Sequence, residues 1–224
     1  MKLAGKVSAV IIRAILHIIC KIDESELKTI PGKGPFIVAM NHINFLEVPM
    51  IFTLLLPRKV HGIAKKETWD NKFIGWLATQ WKSISVDREN ISIDTFRKAK
   101  EYLACYRILI IAPEGTRSHD GKLAKAHPGI ISMAVKSDVP IYPVVHFGGE
   151  KFWENFRKLK RTPVTFKVGK PLRIKAGTKL DQKKRQEIID QVMYRLAELL
   201  PEEYRGYYND LSLVNFQYLE TYKI

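Results

Sequence analysis

The chain is poor in cysteine and poor in acid, and both shortages narrow what it can be. Its two cysteines, Cys20 and Cys105, stand far apart and outside any Cys-x-x-Cys or Cys/His cluster. Neither a disulfide framework nor a zinc site is expected, and a reducing compartment suits the chain. Asp and Glu number 23 against 37 Lys and Arg, a formal net charge of +14, so positive potential faces an anionic partner. A long uninterrupted apolar run is also missing, because Lys6, Arg13 and His17 break the stretch from Leu3 to Cys20. The N-terminus lacks a compact basic region, an apolar stretch and a small-residue cleavage site in that order, so no signal peptide is expected. Nucleic acid fits the charge but not the patterning: there is no recognition-helix, zinc-finger or RNP-type motif, and the aromatics do not interleave with cations.

The rest of the composition, 224 residues with 46% hydrophobic and 27% charged, is that of a folded protein with one α/β domain as the default. Read as a helix at about 100° per residue, the first segment places Lys2, Lys6, Arg13 and His17 on one stripe. Val7, Ile11, Ala14, Ile15 and Ile18 lie opposite. This segregation predicts an amphipathic helix in a membrane interface, apolar side down; the plain alternative is packing on the protein's own core. Residues 1–30 are thus expected to be a membrane-associating segment, and residues 31–224 a single α/β domain.

Beyond "PGKGP", apolar runs and breakers alternate. "FIVAM", "KVHGIA", "SISV", "RILIIA", "VPIYPVV" and "VTFKVG" read as strands. "VPMIFTLLL", "NKFIGWLATQW", Ile91 to Cys105, "IISMAVKS" and Gln182 to Leu200 read as helices. The alternation predicts a mostly parallel or mixed central sheet flanked by helices on both faces. The aromatic-rich tail from Tyr204 suits a membrane interface and packing against the domain equally well.

In a parallel sheet, the loops beyond the carboxyl ends of the strands share one crevice. Three loops stand there. "NHINFLE" holds His42, a base near pH 7 when its other ring nitrogen is held in one tautomer, and Glu47, an acid that could hold it. Asn41 reads as a hydrogen-bond donor or a turn residue. No Ser, Cys or Thr nucleophile stands beside His42, which points to direct attack by a substrate hydroxyl and away from an acyl-enzyme. "SVDR" ends in Arg88. "PEGTRS" offers Arg117, the hydroxyls of Thr116 and Ser118 and the backbone around Gly115, with Lys122 and Lys125 following. Those groups suit phosphate.

"NHINFLE", "VDR", "PEGTRS" and "VPIYPV", in this order from about Pro35 to Val145, resemble the glycerolipid acyltransferases, in particular the bacterial 1-acyl-sn-glycerol-3-phosphate acyltransferases. The resemblance implies a membrane-associated enzyme that moves a fatty acyl group from a thioester, acyl-CoA or acyl-carrier protein, to the sn-2 hydroxyl of lysophosphatidic acid. It implies no metal or other cofactor, and a peripheral or monotopic place on an anionic membrane, at the cytoplasmic face. It makes His42 the general base and Glu47 its orienting acid, where the family usually has aspartate. Arg88, Glu114, Gly115, Thr116, Arg117 and Lys125 match the positions that hold the acceptor's phosphate. "VPIYPV" matches a mostly structural block. Two other outcomes stay open: an acyltransferase for glycerol 3-phosphate or another lysophospholipid, and a catalytically impaired basic membrane-binding module.

Overall fold

The computed structural model describes residues 3–87 and 93–223. Arg88, and Lys2 of the basic stripe, lie outside the described residues. Helix α1 (Leu3–Ile19) leads into β1 (Cys20–Asp23), β2 (Phe36–Met40), α2 (Glu47–Leu54), β3 (Val60–Lys65), α3 (Lys72–Gln80) and β4 (Ile84–Val86). Then follow α4 (Ile93–Ala104), β5 (Ile108–Ile111), α5 (Gly129–Ser137), β6 (Ile141–Phe147), α6 (Phe152–Arg157), β7 (Thr162–Val168), β8 (Leu172–Ile174), α7 (Gln182–Leu199) and β9 (Leu219–Thr221).

The strands form one mixed sheet in the order β1-β7-β6-β2-β5-β3-β4, with β8 and β9 on a side branch from β6. β2 lies between β5 and β6 and is parallel to both: Val38 sits opposite Ile110 on one side and Tyr142 on the other. β3 and β4 continue the parallel array, whereas β7 runs antiparallel to β6. All five residues of β2 are buried, because helices cover both faces and a central parallel strand has no wet side.

Alternation along β2 sorts its side chains. Ile37 and Ala39 enter a core shared with α4, α5 and α7, which includes Leu103, Ile131 and Val192. Phe36, Val38 and Met40 enter a second core with α1, α2, α3 and α6, which includes Leu16, Met50, Leu77 and Phe152. The apolar run of α2 is therefore core: Met50, Ile51, Phe52, Leu54 and Leu55 are all buried.

Part of the stretch before residue 30 joins the sheet. Cys20–Asp23 pairs with Thr162–Thr165 of β7, and Leu27 and Ile30 are buried, so only α1 stands outside the sheet. That helix packs through Gly5, Ala9 and Leu16. Gly5 and Ala9 let it approach closely, and Leu16 enters the second core. Val7, Ile11, Ile15 and Ile18 are 49–70% exposed, so the face read as apolar in the sequence is the one the fold leaves uncovered. Among the described residues no helix is long and apolar enough to cross a membrane.

Four short elements escaped the sequence reading: β1, α6, β8 and β9. β8 and β9 are three residues each, too short for any period to show.

Candidate active site

β2, β3, β4, β5 and β6 all point their carboxyl ends the same way, so the loops after Met40, Ile111 and Phe147 meet at one end of the sheet. The meeting is held by polar ties. The side chain of Asn41, 1% exposed, donates to the His146 carbonyl and accepts from its N–H, both at 2.9 Å. This is a strand-end clamp and answers which role Asn41 takes.

His42 follows, with its side chain 15% exposed. Its Nδ1 makes a short hydrogen bond to Oε1 of Glu47. Glu47 is the first residue of α2, and its other oxygen accepts from the Asn44 N–H at 2.9 Å, while Asn44 Oδ1 accepts from Leu46 N–H at 2.8 Å. Asn44 and Glu47 thus close the turn that leads into α2, the carboxylate reaching back to the Asn44 N–H. Glutamate in this place serves two donors at once, one per oxygen. Burial pushes the Glu47 carboxyl up. The His42 hydrogen bond, the electrostatic pull of the two neighbouring imidazoles, His146 and His42, and the Asn44 N–H outweigh it and hold the group below the usual carboxylate range. An ionised carboxylate on Nδ1 fixes the imidazole with its proton there and leaves Nε2 as the proton-accepting atom.

His146, buried on β6, is a residue the sequence reading missed. Its Nε2 lies 3.2 Å from the Asn41 carbonyl oxygen, which can only accept, so that nitrogen carries the proton. The same nitrogen is 3.9 Å from Oε2 of Glu47. Burial lowers the pKa of His146 against the pull of Glu47, so the ring stays neutral and turns a positive edge toward the carboxylate. The signal in the sequence was a histidine closing the apolar run "VPIYPVV".

The second loop, 112–128, is joined to the first through its backbone. Ser118 N–H donates to the His42 carbonyl at 2.8 Å and His119 N–H to the Ile43 carbonyl at 3.0 Å. Glu114 completes the tie: its carboxylate accepts the His42 N–H at 2.8 Å and the Ala124 N–H at 2.7 Å. Burial pushes its pKa up to about 7, against the two N–H donors. With both oxygens taken up by backbone N–H groups, Glu114 links the loops from inside. Gly115 sits beside it at φ +70, and a side chain there would also press on the His127 ring at 3.3 Å.

Thr116, Arg117 and Lys125 are exposed on this loop, Arg117 directly before the residue bonded to His42. The Lys125 ammonium lies 6.0 Å from the Tyr207 ring centre.

The aromatic tail supports the loop from below. Tyr208, 1% exposed, accepts the Ala126 N–H and donates to Asp190. Tyr204 donates to Glu150 at 2.7 Å. Gly206, at φ +51, comes so close that a Cβ would stand 2.4 Å from the Leu123 carbonyl oxygen. For Tyr204 and Tyr208, packing is the answer to the question their density raised.

The arrangement can take a proton from a hydroxyl at His42 and set an anion against the cations of the neighbouring loop. Comparison with known proteins gives the family. The Acyltransferase family model matches residues 21–146. The 1-acyl-sn-glycerol-3-phosphate acyltransferase of Bacillus subtilis is 27% identical over 173 residues, covering 77% of this chain and 84% of that one. The enzyme of the same name from Limnanthes douglasii is 33% identical over 123 residues, 53% of this chain and 43% of that one. The crystal structure of PlsC, the 1-acyl-sn-glycerophosphate acyltransferase of Thermotoga maritima, superposes with a TM-score of 0.63 at 24% identity, covering 87% of this chain and 79% of that one. With its matched segment running from β1 to the end of β6 and enclosing both site loops, this chain belongs to the acyltransferase family.

Proposed function

We propose that the chain transfers a fatty acyl group from a thioester, acyl-CoA or acyl-carrier protein, to the sn-2 hydroxyl of lysophosphatidic acid. The observation that carries this is the His42–Glu47 pair at the end of the central strand, its Nδ1 tied to a buried carboxylate. The names of the relatives support the acceptor.

His42 Nε2 takes the hydroxyl proton as the oxygen attacks the thioester carbonyl carbon. The tetrahedral intermediate collapses, the C–S bond breaks, and the departing thiolate takes the proton from the imidazolium. Phosphatidic acid and a free thiol leave, and no covalent enzyme intermediate forms. Glu47 stabilises the imidazolium without accepting its proton. His146, 3.9 Å from the second oxygen of Glu47, adds a favourable dipole beside the carboxylate. Arg117 and Lys125, with Arg88 from outside the described residues, attract the phosphate of the acceptor. A thioester is already activated, so placement of the hydroxyl supplies much of the rate.

The lipid acceptor requires the enzyme to meet a membrane. The uncovered face of α1 and the net charge of +14 suit a peripheral site on an anionic bilayer.

The test is release of free CoA from palmitoyl-CoA with lysophosphatidic acid in detergent or vesicles. Wild type turns over; His42→Ala loses about 100-fold or more. Glu47→Asp, which draws the carboxylate back by about a bond length, loses about 100-fold. Silence of the wild type with CoA and carrier-protein donors across lysophospholipids and glycerol 3-phosphate, or full activity of His42→Ala, overturns the reading.

A further inference from the structure

The segment from Gly149 to Arg161 has no role in the chemistry above, yet its side chains are oddly disposed. Only Phe152 is buried in the core. Trp153 is 56% exposed, Phe156 49% and Leu159 95%. Leu159 also sits at φ +53, a left-handed position where glycine or asparagine is least strained. The turn that forces it is well closed: Lys158 N–H and Lys160 N–H both donate to the Asn155 carbonyl, and Leu159 N–H donates to that of Phe156. A rigid turn therefore holds a leucine at its tip in solvent.

Two ties place this tip. On one side, Asn44 donates its side-chain amide to the Gly149 carbonyl at 2.7 Å. Phe45, three residues beyond His42 and 40% exposed, lies 5.7 Å from the Phe152 ring and 5.6 Å from that of Trp153. On the other side, the Arg161 guanidinium donates to the carbonyls of His17 and Cys20 at the end of α1. The aromatic run Phe45–Trp153–Phe156 thus starts beside His42, and the turn that follows it, with Leu159 at its tip, is tied through Arg161 to the end of α1. Cations rim this apolar patch: Lys151, Arg157, Lys158, Lys160 and Arg161 are exposed, Lys158 being paired with Glu154.

Exposed Trp, Phe and Leu on a rigid turn, ringed by Lys and Arg, match one partner: the interfacial layer of a bilayer with anionic headgroups. A protein partner is less suited, since the patch is narrow, convex at Leu159 and bordered by like charges. We propose that the α6 turn is a second lipid-inserting element, separate from α1, which seats the entrance beside His42 in the headgroup region. The inference rests on the membrane-bound reading above, because both need a bilayer. What it adds is an orientation: α1 and the α6 turn give two anchoring lines, and the site lies at the second.

Leu159→Cys in a Cys105→Ser background carries a single exposed thiol for an environment-sensitive fluorophore, Cys20 being buried. The labelled protein is mixed with phosphatidylglycerol–phosphatidylcholine vesicles, with and without bromine on the acyl chains, and cosedimentation is followed in parallel. Expected is a blue shift on binding and quenching by the brominated lipid. The same label at Leu213→Cys, exposed on the α7 side, stays in water. Unlabelled Trp153→Ala/Leu159→Ser partitions about tenfold more weakly, given the apolar area removed. Cosedimentation with an unquenched label at 159 and an unaltered partition of the double variant overturns the α6 inference and leaves membrane binding by α1 standing. Absence of cosedimentation overturns both. CoA release in detergent, measured on the same double variant, stays at the wild-type rate and separates this result from a failure of the catalytic reading.

Discussion

The two faces of the central sheet differ in what their helices show to solvent. On the side of α4, α5 and α7 the helices turn large apolar residues inward, Leu103, Ile131, Ile188 and Val192 all being buried. Their outer surface carries charge pairs such as Asp94–Arg97–Glu101 and Arg195–Glu198. On the other side, α1 turns Gly5, Ala9 and Leu16 inward and exposes Val7, Val10, Ile11, Ile15 and Ile18. Likewise α3 exposes Phe73, Ile74 and Trp76, and α6 exposes Trp153 and Phe156. The first face meets water in the ordinary way. The second presents bulky apolar side chains outward on three helices, more than scattered surface hydrophobes account for. Amphipathicity in a helix therefore reports that two faces exist; which of them meets the core depends on how closely the backbone must approach.

A charge introduced on each face breaks this comparison most sharply. Ile131→Asp on α5, fully buried, leaves an unpaired carboxylate in the core and costs more than about 4 kcal/mol, seen as loss of cooperative thermal unfolding. Ile11→Asp on α1 stays within about 0.5 kcal/mol of wild type. A similar loss for both would mean that the α1 stripe is covered in solution, by a partner or a second copy.

The next effect is on lipid. Ile11→Ser/Ile15→Ser removes apolar area from the uncovered face, and partition onto anionic vesicles falls about tenfold or more. Val135→Ser on α5, 41% exposed, leaves it unchanged. Equal losses would assign vesicle binding to charge alone, and the contrast between the faces would lose its functional meaning.

Much of this was legible in the sequence, and unevenly so. "FIVAM" and "RILIIA" read as strands because a strand buried on both faces is apolar throughout. The pairing of His42 with Glu47 was legible because both stand in one short local block. His146 was not, since its link to Asn41 spans 105 positions and no local pattern marks it. Nor was the inward turn of Glu114, which depends on N–H groups of His42 and Ala124 arriving from two loops. The α6 turn hid in "EKFWENFRKLKR", where charges outnumber apolar residues and no period develops. The uncovered face of α1 was visible as an apolar stripe, but its exposure follows from Gly5 and Ala9 packing, a tertiary fact.

The smallest effect concerns the end of the sheet where the two faces meet, and it is read as a slope. Glu114 has an ordinary pKa of 4.5 when unfolded and about 7 when folded. Between those values the folded state binds more protons than the unfolded one, so the contribution of this group to stability falls as pH rises. It is complete below about 4.5 and lost as pH passes about 7. Glu114→Gln keeps an oxygen for one N–H donor and cannot titrate. Its denaturant midpoint is expected to be lower than that of wild type at pH 5, through the hydrogen bond it loses. The gap narrows steadily toward pH 8, where wild type must hold a buried charge. A constant gap from pH 5 to pH 8 would mean that Glu114 is already ionised in the folded protein, its two backbone donors outweighing burial. The loops carrying His42 and Arg117 would then be joined by a charge, and that end of the sheet would follow the polar face, whose charges are carried ionised, instead of the face that excludes them.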